Sequence, residues 1–245
     1  MFSAFRYAAL LACLAAPLRA DVLVLAAASL KEPVDVITAE AGVPVTVSYG
    51  GSGTQARQVL FGAPADIVIL ASVAWMEVLA EEGALSEAVP PRDVARNRLV
   101  VIAPKGTAPV ELTAAGLEAA RDGGRIAVGL VEAVPAGIYA KAALETLGLW
   151  DGAAPHLAEA ENVRMALALV ERGQAPIGIT YVTDAAVSDA VEIVAEIPDE
   201  SHPPIRYLAA LTKDASPEAL AVFERLTGPE GAAAFAAAGF APVPE

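Results

Sequence analysis

The chain has 245 residues, 56% of them hydrophobic and 5% aromatic, with 16 basic against 30 acidic side chains and a formal net charge of −14. That composition excludes disorder, and the length allows one or two domains or a pair of lobes. The acidic balance argues against nucleic acid as a partner, because affinity for a polyanion rests on clustered Lys and Arg. The high apolar content raises the question of a membrane span. The charge-free stretches Ala41 to Ala56 and Gly231 to Pro244 are broken by Gly, Pro, Ser and Thr or dominated by Ala and Gly, and neither supplies the roughly 20 strongly apolar residues a spanning helix needs.

Residues 1–20 read as a secretory signal peptide. Arg6 gives a positive start, Tyr7 to Leu18 is an uncharged apolar run, and Leu18-Arg19-Ala20 ends in a small residue before Asp21. Cleavage near Ala20 removes Cys13, the only cysteine, and leaves 14 basic against 30 acidic residues, a net charge of −16. A mature chain of that kind has no disulfide, thiolate metal site or cysteine nucleophile. Lipid anchoring at Cys13 is disfavoured, because the apolar region before it is short and the residues after it stay apolar.

From Asp21 onward, short β-like runs alternate with helical ones. Val22 to Ala26 predicts a buried strand, Lys31 to Ala41 a helix, Val43 to Tyr49 an alternating strand and Gln55 to Phe61 a helix. Further strands are expected at Asp66 to Leu70, Leu99 to Ala103, Ile126 to Gly129, Ile177 to Tyr181, Val191 to Ile197 and Ile205 to Leu211. Helices are expected at Val73 to Glu82, Ala136 to Leu147, Val163 to Arg172 and Pro217 to Leu226, with Asn162 and Gly173 as start and stop signals of the third. The alternation predicts an α/β fold with mostly parallel sheets. No internal repeat or low-complexity linker interrupts it.

In such folds ligands sit at loops after strands. Ala26-Ala27-Ala28-Ser29-Leu30 follows the first strand, and Ser29 with Glu32 spells a capping box, although Pro33 complicates that register. Ser29 alone reads as a helix cap near free N–H groups that attract anions. Tyr49-Gly50-Gly51-Ser52-Gly53-Thr54 follows a second strand. Its glycines permit close backbone approach and Ser52 offers a hydroxyl, but the Walker spacing is missing and a Gly-Ser loop alone reads equally as a flexible turn.

Several separated strings change that balance. Ala26 to Leu30, Gly51-Ser-Gly-Thr-Gln-Ala-Arg-Gln58, Gly62-Ala-Pro-Ala-Asp66, Trp75-Met76, Leu99 to Pro104, Val134-Pro-Ala-Gly-Ile-Tyr-Ala-Lys141, Glu161-Asn-Val-Arg164, Ala175 to Tyr181 and Gly228-Pro229 occur in order. Together they make a sequence that resembles the periplasmic molybdate-binding proteins of ABC-type importers. The resemblance covers nearly the whole mature chain. It implies a two-lobed periplasmic-binding-protein fold of type II, with a central cleft and a two-strand hinge. One lobe is then expected over 21–101 and 208–245, the other over 102–207. By matching motifs, Ser29 and Ser52 from the first lobe and Ala136, Val163 and Tyr181 from the second would surround a tetrahedral dianion. Hydroxyls of Ser29, Ser52 and Tyr181 and backbone N–H groups of Ala136 and Val163 would bind it with no Lys or Arg and no metal cation. The resemblance further implies a periplasmic, monomeric carrier of molybdate or tungstate that hands its ligand to a permease and needs no cofactor. Ser72 and Gly129-Leu130-Val131 depart from the family's pattern, which often has an acidic residue at the first place and Gly-Asp-Pro at the second.

Other readings stay open on residues alone. A sulfate or phosphate carrier would use the same helix-end donors, although phosphate carries a proton that calls for an acceptor. An enzyme would need a base beside Ser29 or Ser52, and none stands in a recognisable motif. Tyr181 outside its string reads as a core tyrosine. His156 and His202 read as exposed loop residues rather than zinc ligands, and Glu159, Glu161, Asp199 and Glu200 as solvated faces.

Overall fold

The structure is a computed structural model that describes residues 21–244. The expected signal segment, with Cys13, lies outside the described residues.

Six apolar residues in a row make β1 (Val22–Ala27), which runs through a 3-10 turn at Ala28–Leu30 directly into α1 (Lys31–Ala39). There follow β2 (Val45–Gly50), α2 (Ser52–Leu60), β3 (Ile67–Leu70), α3 (Val73–Glu81) and β4 (Arg92–Asn97). Next come β5 (Leu99–Pro104), α4 (Ala114–Arg121), β6 (Ile126–Gly129), α5 (Pro135–Thr146), the single turn α6 (Trp150–Ala153), β7 (Leu157–Ala160) and α7 (Val163–Glu171). The chain closes with β8 (Ile177–Tyr181), α8 (Val182–Ala186), β9 (Val191–Glu196), β10 (Ile205–Leu211), α9 (Ala219–Thr227) and α10 (Pro229–Ala237).

Two five-stranded sheets result, ordered β2-β1-β3-β10-β4 and β7-β6-β8-β5-β9. In each, four strands point one way, and the fifth, β10 or β5, pairs antiparallel with both neighbours. The sheets are therefore mixed, with fewer parallel pairings than the strand–helix alternation predicts. The odd strand in each is the first one after the chain has crossed from the other sheet. The crossings occur at Arg98, between β4 and β5, and over residues 197–204, between β9 and β10. They fall a few residues before the boundaries expected at 101/102 and 207/208, because each incoming strand pairs in its new sheet from its first residue, Leu99 with Tyr181 and Ile205 with Asn97. The C-terminal α9 and α10 pack on β10, β4 and α1 of the first sheet, where Tyr207, Phe235 and Phe240 meet edge to face.

Three expectations need correction. Ser29 is not a helix cap: it sits inside the 3-10 turn, no side chain caps that turn or α1, and Glu32 is bonded to Arg164 instead of closing a capping box. The second helix starts at Ser52, three residues before the expected Gln55. His202 is buried, 8% exposed, with Nδ1 2.9 Å from the Pro203 carbonyl oxygen and its ring against Tyr139, because the return crossing folds under α5.

The two sheets with their helices form lobes that touch across a cleft. Trp75 Nε1 of the first donates to the Ala133 carbonyl of the second at 3.2 Å. Gly51 and Gly53 let the backbones meet: a Cβ on Gly51 would lie 2.5 Å from the Glu161 carbonyl oxygen, and one on Gly53 2.6 Å from that of Ala133. Both obstacles are backbone atoms of the opposite lobe. Gly51→Ala should therefore fold normally but fail to close, and Gly53→Ala, whose Cβ would also press the Trp75 ring of its own lobe at 2.9 Å, should fail to close as well. Small-angle scattering with saturating molybdate, the oxyanion expected from the sequence, should show each variant larger than the parent, and equal dimensions would contradict this.

Arg164 on α7 ties the lobes together. Its Nη atoms reach Glu32 on α1 at 2.9 and 2.5 Å, and its Nε donates to Asp184 on α8. Asp184 is fully buried and its Oδ2 has no partner. Burial pushes its carboxyl up to about 6 against the pull of Arg164, and the nearby Glu32 charge adds to the rise. One guanidinium faces two carboxylates, so a proton on Asp184 neutralises the group. Burial also acts to raise Glu32, but the Arg164 bonds and charge outweigh it and hold that carboxyl below its usual range. A carboxyl raised in the folded state costs stability above about pH 6, and the cost is relieved as pH falls toward the unfolded value. The melting temperature of the parent minus that of Asp184→Asn should thus grow by about 2–4 °C between pH 7.5 and pH 5; a difference that stays flat would contradict the assignment.

Candidate functional site

Five chain segments converge on the cleft between the lobes. Its lining includes Ser29 in the 3-10 turn, Gly51 and Ser52 at the start of α2, Pro135 and Ala136 at the start of α5, Asn162 and Val163 at the start of α7, and Tyr181 at the end of β8. All five site residues expected from the sequence line this one cavity. The cavity is tight, about 10 Å³, close to the least that admits one water molecule, so even a compact oxyanion enters only as the lobes part, and an amino acid or a sugar would need them farther apart.

Each donor is prepared by its own element. The first three N–H groups of a helix have no intrahelical acceptor. In α7 the Asn162 side chain takes the N–H of Met165 at 3.0 Å, which leaves the Val163 N–H uncapped. In α5 the first residue is Pro135, which has no N–H, and no side chain caps the helix. The first open donor is therefore Ala136, 1% exposed. Partial positive charge gathers at these helix starts and favours an anion.

The hydroxyls are prepared as well. Ser52 Oγ accepts the Ala71 N–H at 3.0 Å, so its own proton is free for the cleft. Ser29 Oγ lies 3.0 Å from the Tyr207 hydroxyl. The Tyr181 hydroxyl is buried with no protein partner, an arrangement that costs free energy unless something accepts its proton. Burial raises the Tyr181 phenol well above its ordinary range and pushes Tyr139 up to about 12, so both stay protonated. Tyr139, one turn along α5 from Ala136, donates to the Ala71 carbonyl of the opposite lobe at a long 3.4 Å.

No Lys, Arg, His, Asp or Glu is among the lining residues. Arg164 follows Val163 directly, but its charge is engaged by Glu32 and Asp184. Among the described residues no group of three or more His, Cys, Asp or Glu is placed to hold a metal ion, and no helix is long and apolar enough to cross a membrane. The lining can donate hydrogen bonds to an anion. It offers no base beside either serine.

The departures from the family pattern have local explanations. Ser72 caps α3, accepting the Trp75 N–H at 3.3 Å, a task an acidic side chain performs equally well. Leu130 anchors a turn, its carbonyl accepting from Ala133 and Val134, and its side chain is partly exposed. Sequence reasoning missed Tyr207, Asn97 and Trp75 as supports of the site. For Tyr207 a signal existed: a tyrosine within the apolar run Ile205–Leu211 needs a partner for its hydroxyl.

Comparison with known proteins gives a consistent result. The pattern of the bacterial extracellular solute-binding protein family matches residues 22–241. The chain is 42% identical over 227 residues to the molybdate-binding protein ModA of Escherichia coli (strain K12), covering 89% of this chain and 88% of that one. It is 40% identical over 202 residues to the molybdate-binding protein ModA of Haemophilus influenzae, covering 79% of each. Among solved structures, the periplasmic molybdate-binding protein of Azotobacter vinelandii matches with a TM-score of 0.76 over 92% of this chain and 100% of that one, at 24% identity, a likeness of fold. With its pattern matched from β1 to beyond α10 and its two mixed sheets facing one cleft, the chain belongs to the bacterial extracellular solute-binding protein family.

Proposed function

We propose that the chain is an extracytoplasmic binding protein that captures molybdate, and tungstate with it, and delivers it to an ABC importer. The observation that carries the reading is a cleft lined by the hydroxyls of Ser29, Ser52 and Tyr181 and the starts of α5 and α7, with no charged side chain among the lining residues and the buried Tyr181 hydroxyl still in need of an acceptor. The relatives named for molybdate binding support the choice of oxyanion. In this reading Ser29, Ser52 and Tyr181 give O–H bonds and Ala136 and Val163 give N–H bonds to one tetrahedral dianion. The protein works as a periplasmic monomer after cleavage near Ala20. Its lobes, 21–97 with 205–244 and 99–196, swing about the crossings at Arg98 and 197–204 as the anion engages both.

A neutral cage selects among dianions of equal charge by size, since Coulomb attraction is the same for each. Donors spaced for long metal–oxygen bonds are stretched around sulfate. Each hydrogen bond to a charged group is worth about 1.5–3 kcal/mol, so weakening two or three lowers affinity by on the order of a hundredfold or more. Calorimetry on ligand-stripped protein should show molybdate and tungstate binding alike and sulfate at least a hundredfold more weakly. Ser29→Ala and Ser52→Ala should each cost roughly tenfold to a hundredfold with the fold intact. Sulfate within tenfold of molybdate, or an undiminished double variant, would overturn the proposal.

A further inference from the structure

Behind Ser29 lies a chain of buried hydrogen bonds outside the cleft. Asn97 ends β4 next to the Arg98 crossing, and its Oδ1 accepts the Arg98 N–H at 2.9 Å. That contact fixes which end of the amide is which, because a carbonyl oxygen must face the N–H. The Nδ2 end then donates twice, to Thr183 Oγ1 at 2.8 Å and to the Tyr207 hydroxyl at 3.2 Å. Tyr207 is 0% exposed. Its oxygen receives the Asn97 proton, so its own proton has one remaining neighbour, Ser29 Oγ at 3.0 Å. Ser29 Oγ is thereby made an acceptor on its inner side.

We infer that Tyr207 and Asn97 are positioning residues whose one-way hydrogen-bond chain turns the Ser29 proton into the cleft, making Ser29 an obligate donor and the site selective for fully deprotonated oxyanions. The inference rests on the oxyanion reading of the cleft. A serine without the chain can rotate and accept a proton from a ligand, as a hydrogen phosphate or hydrogen arsenate would require. With the chain in place, turning the Ser29 proton onto Tyr207 leaves the buried Tyr207 proton without an acceptor, and turning it to the third position leaves the Ser29 proton itself without one, because Tyr207 is the partner that the described residues give Ser29 Oγ; either is costly. Ser52 is set the same way by the Ala71 N–H, so each serine has one lone pair already filled from behind and turns its proton to the cleft.

The effect of Tyr207 must pass through Ser29, which sets it apart from a merely structural role. Calorimetry with molybdate and with inorganic phosphate at neutral pH provides the test, each variant first checked for parental melting. Tyr207→Phe should weaken molybdate about tenfold, narrow the molybdate-to-phosphate ratio, and have no effect when Ser29 is already Ala. Asn97→Asp should do more harm, since a carboxylate only accepts. Tyr207 would then donate to it, and Ser29 would turn its proton inward to Tyr207. The excess loss should shrink when Tyr207 is also Phe, whereas simple repulsion by the new charge would persist. Additive effects of Tyr207→Phe and Ser29→Ala, or an unchanged molybdate-to-phosphate ratio in Tyr207→Phe, would overturn the inference while leaving the oxyanion site standing. If the parent binds neither molybdate nor tungstate, the oxyanion reading itself fails and takes the chain's role with it.

Discussion

A dianion held without a positive side chain must be surrounded by hydrogen-bond donors, and each donor must have its acceptor side already occupied. The rest of this structure follows from that constraint. Helix starts are the cheapest source of such donors, because their first N–H groups have nowhere else to go. The loops that end in Ser52, Ala136 and Val163 therefore all face one point, and the serine oxygens are filled from behind by the Ala71 N–H and the Tyr207 hydroxyl. A net charge of −14 does not oppose this. At physiological salt the Debye length is about 8 Å, so surface carboxylates beyond that range are screened, and the local dipoles decide.

A donor cage split between two lobes also requires that the lobes meet closely, and the contacts between them serve that need. Gly51 and Gly53 remove the methyl groups that would collide with opposing carbonyls, while Trp75 and Tyr139 each donate across the gap to a backbone oxygen. Arg164 adds an ionic tie at the side of the cleft, its charge spent on Glu32 and Asp184. This arrangement keeps a guanidinium beside the site without letting it act as the counter-ion, so charge alone cannot recruit the wrong anion.

Much of this was legible in the residues. The apolar runs of β1, β3 and β8 and the Gly-Ser loop before α2 placed the strands and their ligand-facing ends, and the separated strings brought the five lining residues together. What stayed hidden depends on partners far apart in sequence. Arg92–Asn97 is too polar to read as a strand, yet it pairs with β10, where Asp93 bonds Arg206, while Arg92 bonds Glu224 on α9. Leu157–Ala160 is a four-residue edge strand with little pattern of its own, and Pro229–Ala237 is so rich in alanine that it shows no marked face. Ser29 looked like a cap because Glu32 stood three residues on. Only the packing of α7 against the turn shows that Glu32 belongs to Arg164 and that Ser29 leans on Tyr207, 178 residues away.

In this reading one oxyanion is held by neutral donors from both lobes. A crystal structure of the molybdate-loaded protein, with the metal located by anomalous scattering at the molybdenum edge, tests it most directly. A single metal position is expected in the cleft, with oxygens in hydrogen-bond contact with the hydroxyls of Ser29, Ser52 and Tyr181 and the N–H groups of Ala136 and Val163. Arg164 should still be paired with Glu32 and Asp184. A metal position elsewhere, or a lysine or arginine side chain turned in to contact the anion, would contradict the reading.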